Sequence, residues 1–320
     1  MTLSQLRTFA LVVRLGSLRA AAKELGISEP AVSAAVAALR AELGDPLFVR
    51  AGGGIEFTPG GRRLAAHAEE IVGLADQARR EVAETVLAST SLRVAAAADF
   101  SEHAADALLN AFTRRLPDCQ VDLTLAEGSE LADLLVRRTA DVVLGPRPTG
   151  GEPGPRPVGG ELDVVPFLRY QRILVAAPEF PVVVREVFRH VWLTGPAGLE
   201  ELSEEGRWIA RQPVWPDLVR FPSETDAVAA ARAGDGLMLA LGHVVRADLR
   251  SGALVRIPVP GTPVQGLWYA TVLGRGRASA AARALQEFVT TPTATAAMLA
   301  PPGVAPLVPR RPPVHVALWS

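Results

Sequence analysis

The sequence predicts an α/β protein with an N-terminal winged helix–turn–helix, a long linker helix and a two-lobed Rossmann-like domain. Three observations carry this. Short amphipathic segments punctuated by Gly16, Gly26 and Gly44 fill the first fifty residues. A run from Pro59 then places apolar residues at alternating spacings of four and three. From Leu92 onward, strand-like and helix-like patterns alternate, which implies parallel βαβ units.

The chain has 320 residues, enough for two or three domains, and its 49 % hydrophobic and 21 % charged composition is that of a globular protein. Its net charge of −1 announces neither a nucleic-acid nor a membrane partner, so any such activity must come from a local patch. The single cysteine, Cys119, excludes an intrachain disulfide and any CxxC site. No apolar run reaches the ~18–20 residues of a membrane helix, and the N-terminus lacks the basic start of a signal peptide. A cytoplasmic protein is expected.

In the head, Leu3, Leu6, Phe9 and Val13 form one helical stripe that ends at Gly16. Ser17 can cap a second helix, Leu18 to Leu25, which Gly26 terminates in the left-handed conformation. Ser28 can cap a third, with Glu29 and Pro30 in its first turn and Val32, Val36, Leu39 and Leu43 facing inward. Ala21 and Ala22 allow close helix approach, and Ile27 is expected to plug the core. DPLFVRAGGGIEFTP then reads as a β-hairpin wing with a glycine tip.

Thr58 and Pro59 start the linker helix, whose seam is Leu64, Ala68, Ile71, Ala75, Ala78 and Val82. About 27 residues at ~1.5 Å each give about 40 Å of rod. Such a helix can lie on a domain or pair with a second copy; the narrow, alanine-rich seam on a helix joining two domains favours pairing. LASTS, residues 87–91, is the polar break.

Beyond it, LRVAAAADF, QVDLTLA and ADVVLG read as strands, with helices from Glu102 to Leu116 and from Ser129 to Arg138. The Pro/Gly-rich stretch from Pro146 to Gly160 separates a second series. There RILVAA, VWLTG, LVRF, GLMLAL, LVRIPV and GLWYATVL read as strands. Helices are expected at 199–205, from Ser223 or Thr225 to Ala233, and at 278–289. A Pro/Ala-rich tail from Thr291 to Ser320 is expected to be loosely attached.

No catalytic constellation emerges. GRGRAS (274–279) lacks the spaced third glycine of a dinucleotide fingerprint, and GxxxxGK[ST], HExxH and GxSxG are missing. His67, His103, His190, His243 and His315 lie far apart without ligand spacing, and Cys119 reads as buried filler. Neither cofactor nor metal is expected, and the chain reads as a non-enzyme.

The string SLRAAAKELGISEPAVSAAVAALRAELGDPLFVR is where function becomes legible. A tight bend between the second and third helices lets the third enter a major groove ~12 Å wide. Ser17, Ala21, Ala22, Leu25, Ile27, Ser28, Pro30, Ala31, Val32, Ser33, Val36, Leu39, Leu43, Gly44, Leu47, Phe48 and Arg50 match the winged helix–turn–helix of the LysR-type transcriptional regulators. Thr58 to Gly61 continues the match. The chain resembles that family over residues 1 to about 290, sharply at the N-terminus and diffusely after it.

The resemblance implies a DNA-binding head at 1–58, a dimerisation helix at 59–89 and a periplasmic-binding-protein-like effector domain at 92–290. Lobe crossings near Gly160 and Gly266 would give lobe 1 residues 92–160 and 267–290, and lobe 2 residues 161–266. It further implies promoter DNA, a small-molecule effector and further copies of the chain (a homodimer, then a homotetramer) as partners.

On the reading helix, Glu29 stands where the family has glutamine, and Ala34 where a long polar residue is common. Pro30 and Ala34 can touch thymine methyls, Ser33 can bond a base or phosphate, and Glu29 can accept from cytosine N4. Alternatively Glu29 only favours the helix dipole, and readout is of DNA shape. Arg19 and Arg50 are the expected phosphate anchors, with a solvated surface charge as the plain alternative. Strand ends point to Asp99, Phe100, Ser101, Glu127, Ser129, Thr194, Ser223 and Thr225 as effector contacts, although the hydroxyls among them can equally be N-caps. Asp99 and Glu127 disfavour a dicarboxylate, so a neutral or partly cationic effector is expected. A solute-binding or enzymatic α/β protein with an assembly module, and a regulator with an empty, degenerate cleft, are the competing readings.

Overall fold

The structure, a computed structural model, describes residues 1–51, 54–87, 90–148, 162–196, 198, 203–212, 214–274 and 276–300. The head comprises α1 (Leu3–Leu15), α2 (Leu18–Leu25), α3 (Glu29–Leu43), β1 (Phe48–Ala51) and β2 (Gly54–Phe57). Each helix begins at a hydroxyl cap: Thr2 accepts from Gln5 N, Ser17 from Ala20 N and Ser28 from Ala31 N. Gly26 closes α2 at φ +66°, a conformation that a side chain would strain. The strands pair antiparallel with Phe48 opposite Phe57, their rings edge to face at 5.9 Å.

Two expectations for the head fail. Ile27 and Leu43 are each 44 % exposed. The left-handed turn at Gly26 swings Ile27 outward, and Leu43 falls in the last turn, past the end of the packed stripe. Phe9, Ala21, Ala22, Val32, Val36 and Leu39 close the core without them.

Helix α4 (Pro59–Leu87) starts at Thr58, whose hydroxyl accepts from Gly61 N at 2.8 Å and donates to Asp45 at 2.8 Å. The expected seam divides. Leu64 and Ala68 pack into the head core, whereas Ile71 (43 % exposed) and Val82 (69 %) face outward with Leu74 and Ala78. Ala75 is half-buried.

The remaining elements build one curled mixed sheet. First come β3 (Thr90–Ala97), the turn α5 (Ala98–Phe100), a π-helical stretch Ser101–Ala105 and α6 (Asp106–Thr113). They are followed by β4 (Cys119–Ala126), α7 (Leu131–Val136), β5 (Val142–Gly145) and the long β6 (Leu162–Ala176). After a 3-10 turn at Val184–Arg189 come β7 (Trp192–Thr194), α8 (Glu204–Ile209), β8 (Leu218–Arg220), α9 (Glu224–Ala233) and β9 (Leu237–Leu241). The chain continues with α10 (Arg246–Ser251), β10 (Val255–Arg256), β11 (Val264–Leu273), α11 (Ala280–Phe288) and α12 (Pro292–Met298).

Strand order is β4-β3-β5-β11-β6-β9-β7-β8, with β10 on β6. Each end of the sheet is parallel, as the alternating pattern requires, and antiparallel β11 and β6 join the two ends. Separate apolar clusters under each half make two lobes.

The crossing does not fall near Gly160, which lies outside the described residues. Residues 162–170 of β6 still pair with β11 beside β5, and β6 reaches β9 only at Arg172. A single 15-residue strand serves both lobes, so its first half belongs with lobe 1. On the other crossing strand, β11 starts at Val264 and meets β5 at Tyr269.

Nor does the chain come loose at Thr291. Thr291 caps α12, whose Ala294, Ala297 and Met298 are buried in the lobe 1 core. Residues 301–320 lie outside the described residues, as do 199–202 of the helix expected at 199–205. The described helix there is α8, capped by Ser203. Ser129 does not cap α7; the capping position is Glu130, without a side-chain bond.

Candidate functional site

Two candidate sites stand out, one on the surface of the head and one between the lobes. On α3, Ser28, Glu29, Pro30, Ser33 and Ala34 are all exposed, because Val32, Val36 and Leu39 occupy the inward stripe. The order of caps and apolar spacing therefore presents a short, mostly neutral face to an incoming ligand. Around it, the arginines divide by what they already hold. Arg40 donates to the Phe48 carbonyl at 3.0 Å and stacks over the Phe48 ring at 4.2 Å, so it fastens the wing. Arg7 is bound to Asp76 and Arg14 to Glu24. Arg19, Lys23, Arg62 and Arg63 are exposed and have no ion-pair partner among the described residues. These four are the cations free to meet phosphates. Arg50 lies on β1, and its side chain is outside the described residues.

The second site is a cleft between the lobes with a cavity volume of ≈ 50 Å³. At ~10–15 Å³ per water, that admits only a few waters. Its centre is Arg172, at the point of β6 where the strand passes from β11 to β9. The guanidinium bonds Asp99 at 3.0 Å, Glu205 at 2.8 Å and Glu224 at 2.7 Å, one carboxylate from lobe 1 and two from lobe 2. It also donates to the Leu239 carbonyl at 3.3 Å and lies 5.9 Å from the Tyr170 ring centre.

This convergence sets the local protonation. Burial raises the Asp99 pKa and outweighs the attraction of Arg172. Burial also pushes on Glu224, but Arg172 and His103 prevail and bring it down to about 2. For Arg172 itself, burial favours the neutral form, yet the three carboxylates hold it firmly charged. Tyr170 is pushed up by burial and then by Glu205, and stays protonated. Thr194 Oγ1 and Trp268 Nε1 line the same cleft, buried and without a hydrogen-bond partner. The cleft therefore holds excess negative charge and two unsatisfied polar groups.

The π-helical stretch aims two further side chains across the gap. Glu102 accepts from Glu224 N at 2.7 Å and Thr225 N at 2.8 Å, and from the Thr225 hydroxyl at 2.6 Å. His103 Nε2 lies 3.2 Å from Glu224 Oε2. A lobe 1 carboxylate thus caps the N-terminus of a lobe 2 helix, where the dipole favours it.

Of the eight residues expected at the effector site, the structure brings Asp99 and Thr194 together in the cleft. Phe100 is fully buried against Phe167 and Trp268, in the wall rather than at the surface. Ser101 faces a separate groove, Thr225 is taken by Glu102, and Ser223 is the N-cap of α9. Glu127 and Ser129 are exposed and do not line the cleft. Sequence reasoning missed Arg172, Tyr170, Glu205 and Trp268, whereas Glu224 lies at a strand end that it did point to. The signal available was Arg172 directly heading the apolar run Ile173–Ala176 of β6.

No helix among the described residues is long and apolar enough to cross a membrane, and no described cluster of acidic, His or Cys side chains could hold a metal.

A winged helix–turn–helix head joined to a two-lobed α/β domain is the architecture of a one-chain DNA-binding transcriptional regulator. Comparison with known proteins agrees. Residues 3–62 match the bacterial regulatory helix-turn-helix protein, lysR family, and residues 87–293 match the LysR substrate binding domain. An uncharacterised HTH-type transcriptional regulator of Mycobacterium tuberculosis (strain H37Rv) is 39 % identical over 100 % of both chains. The HTH-type transcriptional regulator CfxR of Cupriavidus necator is 30 % identical, covering 92 % of each. Among solved structures, ArgP from Mycobacterium tuberculosis matches with TM-score 0.60 at 23 % identity, covering 91 % of this chain and 96 % of its own. LysG from Corynebacterium glutamicum with bound effector Arg matches with TM-score 0.56 at 22 % identity, covering 92 % and 98 %. The chain belongs to the LysR family: it is a DNA-binding transcriptional regulator with a substrate-binding domain, not an enzyme.

Proposed function

We propose that this regulator is a cytoplasmic homodimer, assembled into a homotetramer, that places α3 of each chain in successive major grooves of an imperfect palindrome. The exposed reading face of α3, with unpaired Arg19 and Lys23 on neighbouring α2, carries this reading. The exposed Ile71, Leu74 and Val82 of α4 support pairing through the linker helix, since single exposed apolar residues need no explanation but a helical row of them does. In this reading Ser33, Pro30, Ala34 and Glu29 face bases, while Arg19 and Arg50 bind the backbone. A fluorescence-anisotropy titration with the DNA upstream of its own gene tests it. Binding that weakens steeply between 50 and 200 mM salt is expected. Affinity equal for that fragment and for random duplex would remove the sequence-specific reading.

The effector binds in the inter-lobe cleft and shifts the closure of the lobes, and with it the spacing of the heads. Three carboxylates around one guanidinium favour a neutral or cationic effector over a dianion. LysG was solved with arginine bound, a cationic amino acid, which suits this class. A second reading rests on the small cavity, already filled by Arg172: the lobes are held shut by the chain's own side chains, and regulation acts through oligomer state. Thermal-shift screening against amines, amino acids and dicarboxylates separates the two. Stabilisation by a cation supports the first reading, by a dianion overturns the charge assignment, and by none supports the second.

A further inference from the structure

A second cavity, of ≈ 290 Å³, lies where α1, α2, α4 and the end of α7 meet, joining the head to lobe 1. The elements approach closely here: a side chain at Gly73 of α4 would collide with the Arg137 carbonyl. Three carboxylates in its wall are each matched by an arginine, Arg7 with Asp76 at 2.6 Å, Arg14 with Glu24 at 3.6 Å and Arg137 with Glu69 at 3.0 Å. Arg93, also in the wall, is held by Asp141 at 2.6 Å.

Arg138 is different. It is 6 % exposed, and its backbone is left-handed at φ +54°, a conformation that disfavours a non-glycine residue. One guanidinium nitrogen donates to the amide oxygen of Gln77, a neutral partner. Its Nε has no hydrogen-bond partner, and no carboxylate lies within ion-pair distance among the described residues. Burial, then the nearby charge of Arg277, lowers its pKa, against the opposing pull of Glu70, Glu81 and Asp141. Arg277 is itself paired with Glu70 at 3.2 Å and keeps one buried terminal nitrogen unpartnered. A buried guanidinium whose carboxylates stay beyond ion-pair contact favours an anion that can reach it directly.

We propose that this junction is a binding site for a phosphoryl group, carried by inorganic phosphate or a small phosphorylated metabolite. Arginine forks match phosphate oxygens geometrically, and the unmet donor on Arg138 is of that kind. The site lies apart from the inter-lobe cleft and does not depend on what binds there. Occupied, it ties the linker helix to lobe 1 and fixes the angle at which the head is carried.

The test is thermal unfolding of the full-length protein in inorganic phosphate, acetate or chloride at matched ionic strength. Phosphate is expected to raise Tm by about 3 °C at saturation over chloride and over acetate. Arg138→Gln should abolish the rise, whereas Arg114→Gln, at an exposed arginine outside the junction, should keep it. Should Arg138→Gln fail to fold, Arg138→Lys retains the charge without the fork and should weaken phosphate at least tenfold. Equal Tm in phosphate and chloride, an equal response to acetate, or an undiminished response in the Arg138 variants would each overturn the proposal.

Discussion

The head and the inter-lobe cleft are built on opposite logics. In the head, the reading residues lie on one helix, α3, and their direction is set by its cap and helical spacing. In the cleft, Asp99, Arg172, Glu205 and Glu224 come from four separate elements and meet only through the sheet. The reading face is mostly neutral and exposed; the cleft is buried, charged and already occupied by its own arginine. Local rules therefore fix which face of α3 is exposed, while long-range packing decides what the cleft can hold.

This contrast can be broken experimentally, beginning with the cleft. Arg172→Met leaves three carboxylates facing one another without a counter-ion, and a loss of about 3–5 kcal/mol in urea unfolding is expected. A loss below 1 kcal/mol would mean that the carboxylates are not desolvated as described. The next test is pH. Burial, then His103, lowers the His243 pKa from 6.5 to about 4. The folded state thus keeps this imidazole neutral while the unfolded chain protonates below pH 6.5, so stability falls between pH 6.5 and 4 by about 2 kcal/mol. His243→Gln should flatten that stretch of the profile; an unchanged slope would assign it to other groups.

The head should respond differently. Arg19→Ala is expected to weaken binding to every duplex about tenfold and to lower the salt slope by ~1, with stability unchanged. A sequence-dependent loss would make Arg19 a base reader. Smallest is Ser28→Ala, which removes a hydroxyl bonded to Ala31 N at 3.4 Å and should cost ~1 kcal/mol or less, read by urea unfolding.

The same contrast explains what was legible in the sequence. Ser17, Gly26, Ser28 and Thr58 announce helix ends because capping is a local bond, and the structure places each cap accordingly. Strand ends pointed to Asp99 and Thr194, which do share the cleft. Arg172 was hidden because its role comes from the crossing of β6 between two lobes, which no periodicity encodes. Ser223 and Thr225 look alike in sequence; one caps its own helix and the other is held by Glu102, more than a hundred residues away. Ile27 failed for a local reason, since the turn that places α3 also turns that side chain out.

The central claim is that two copies of α3 read one duplex. Hydroxyl-radical footprinting on the upstream DNA tests it most directly. Two protected patches on one face, their centres about 10–10.5 base pairs apart or a multiple of that, are expected. A single patch, or protection spread without helical phase, would contradict it.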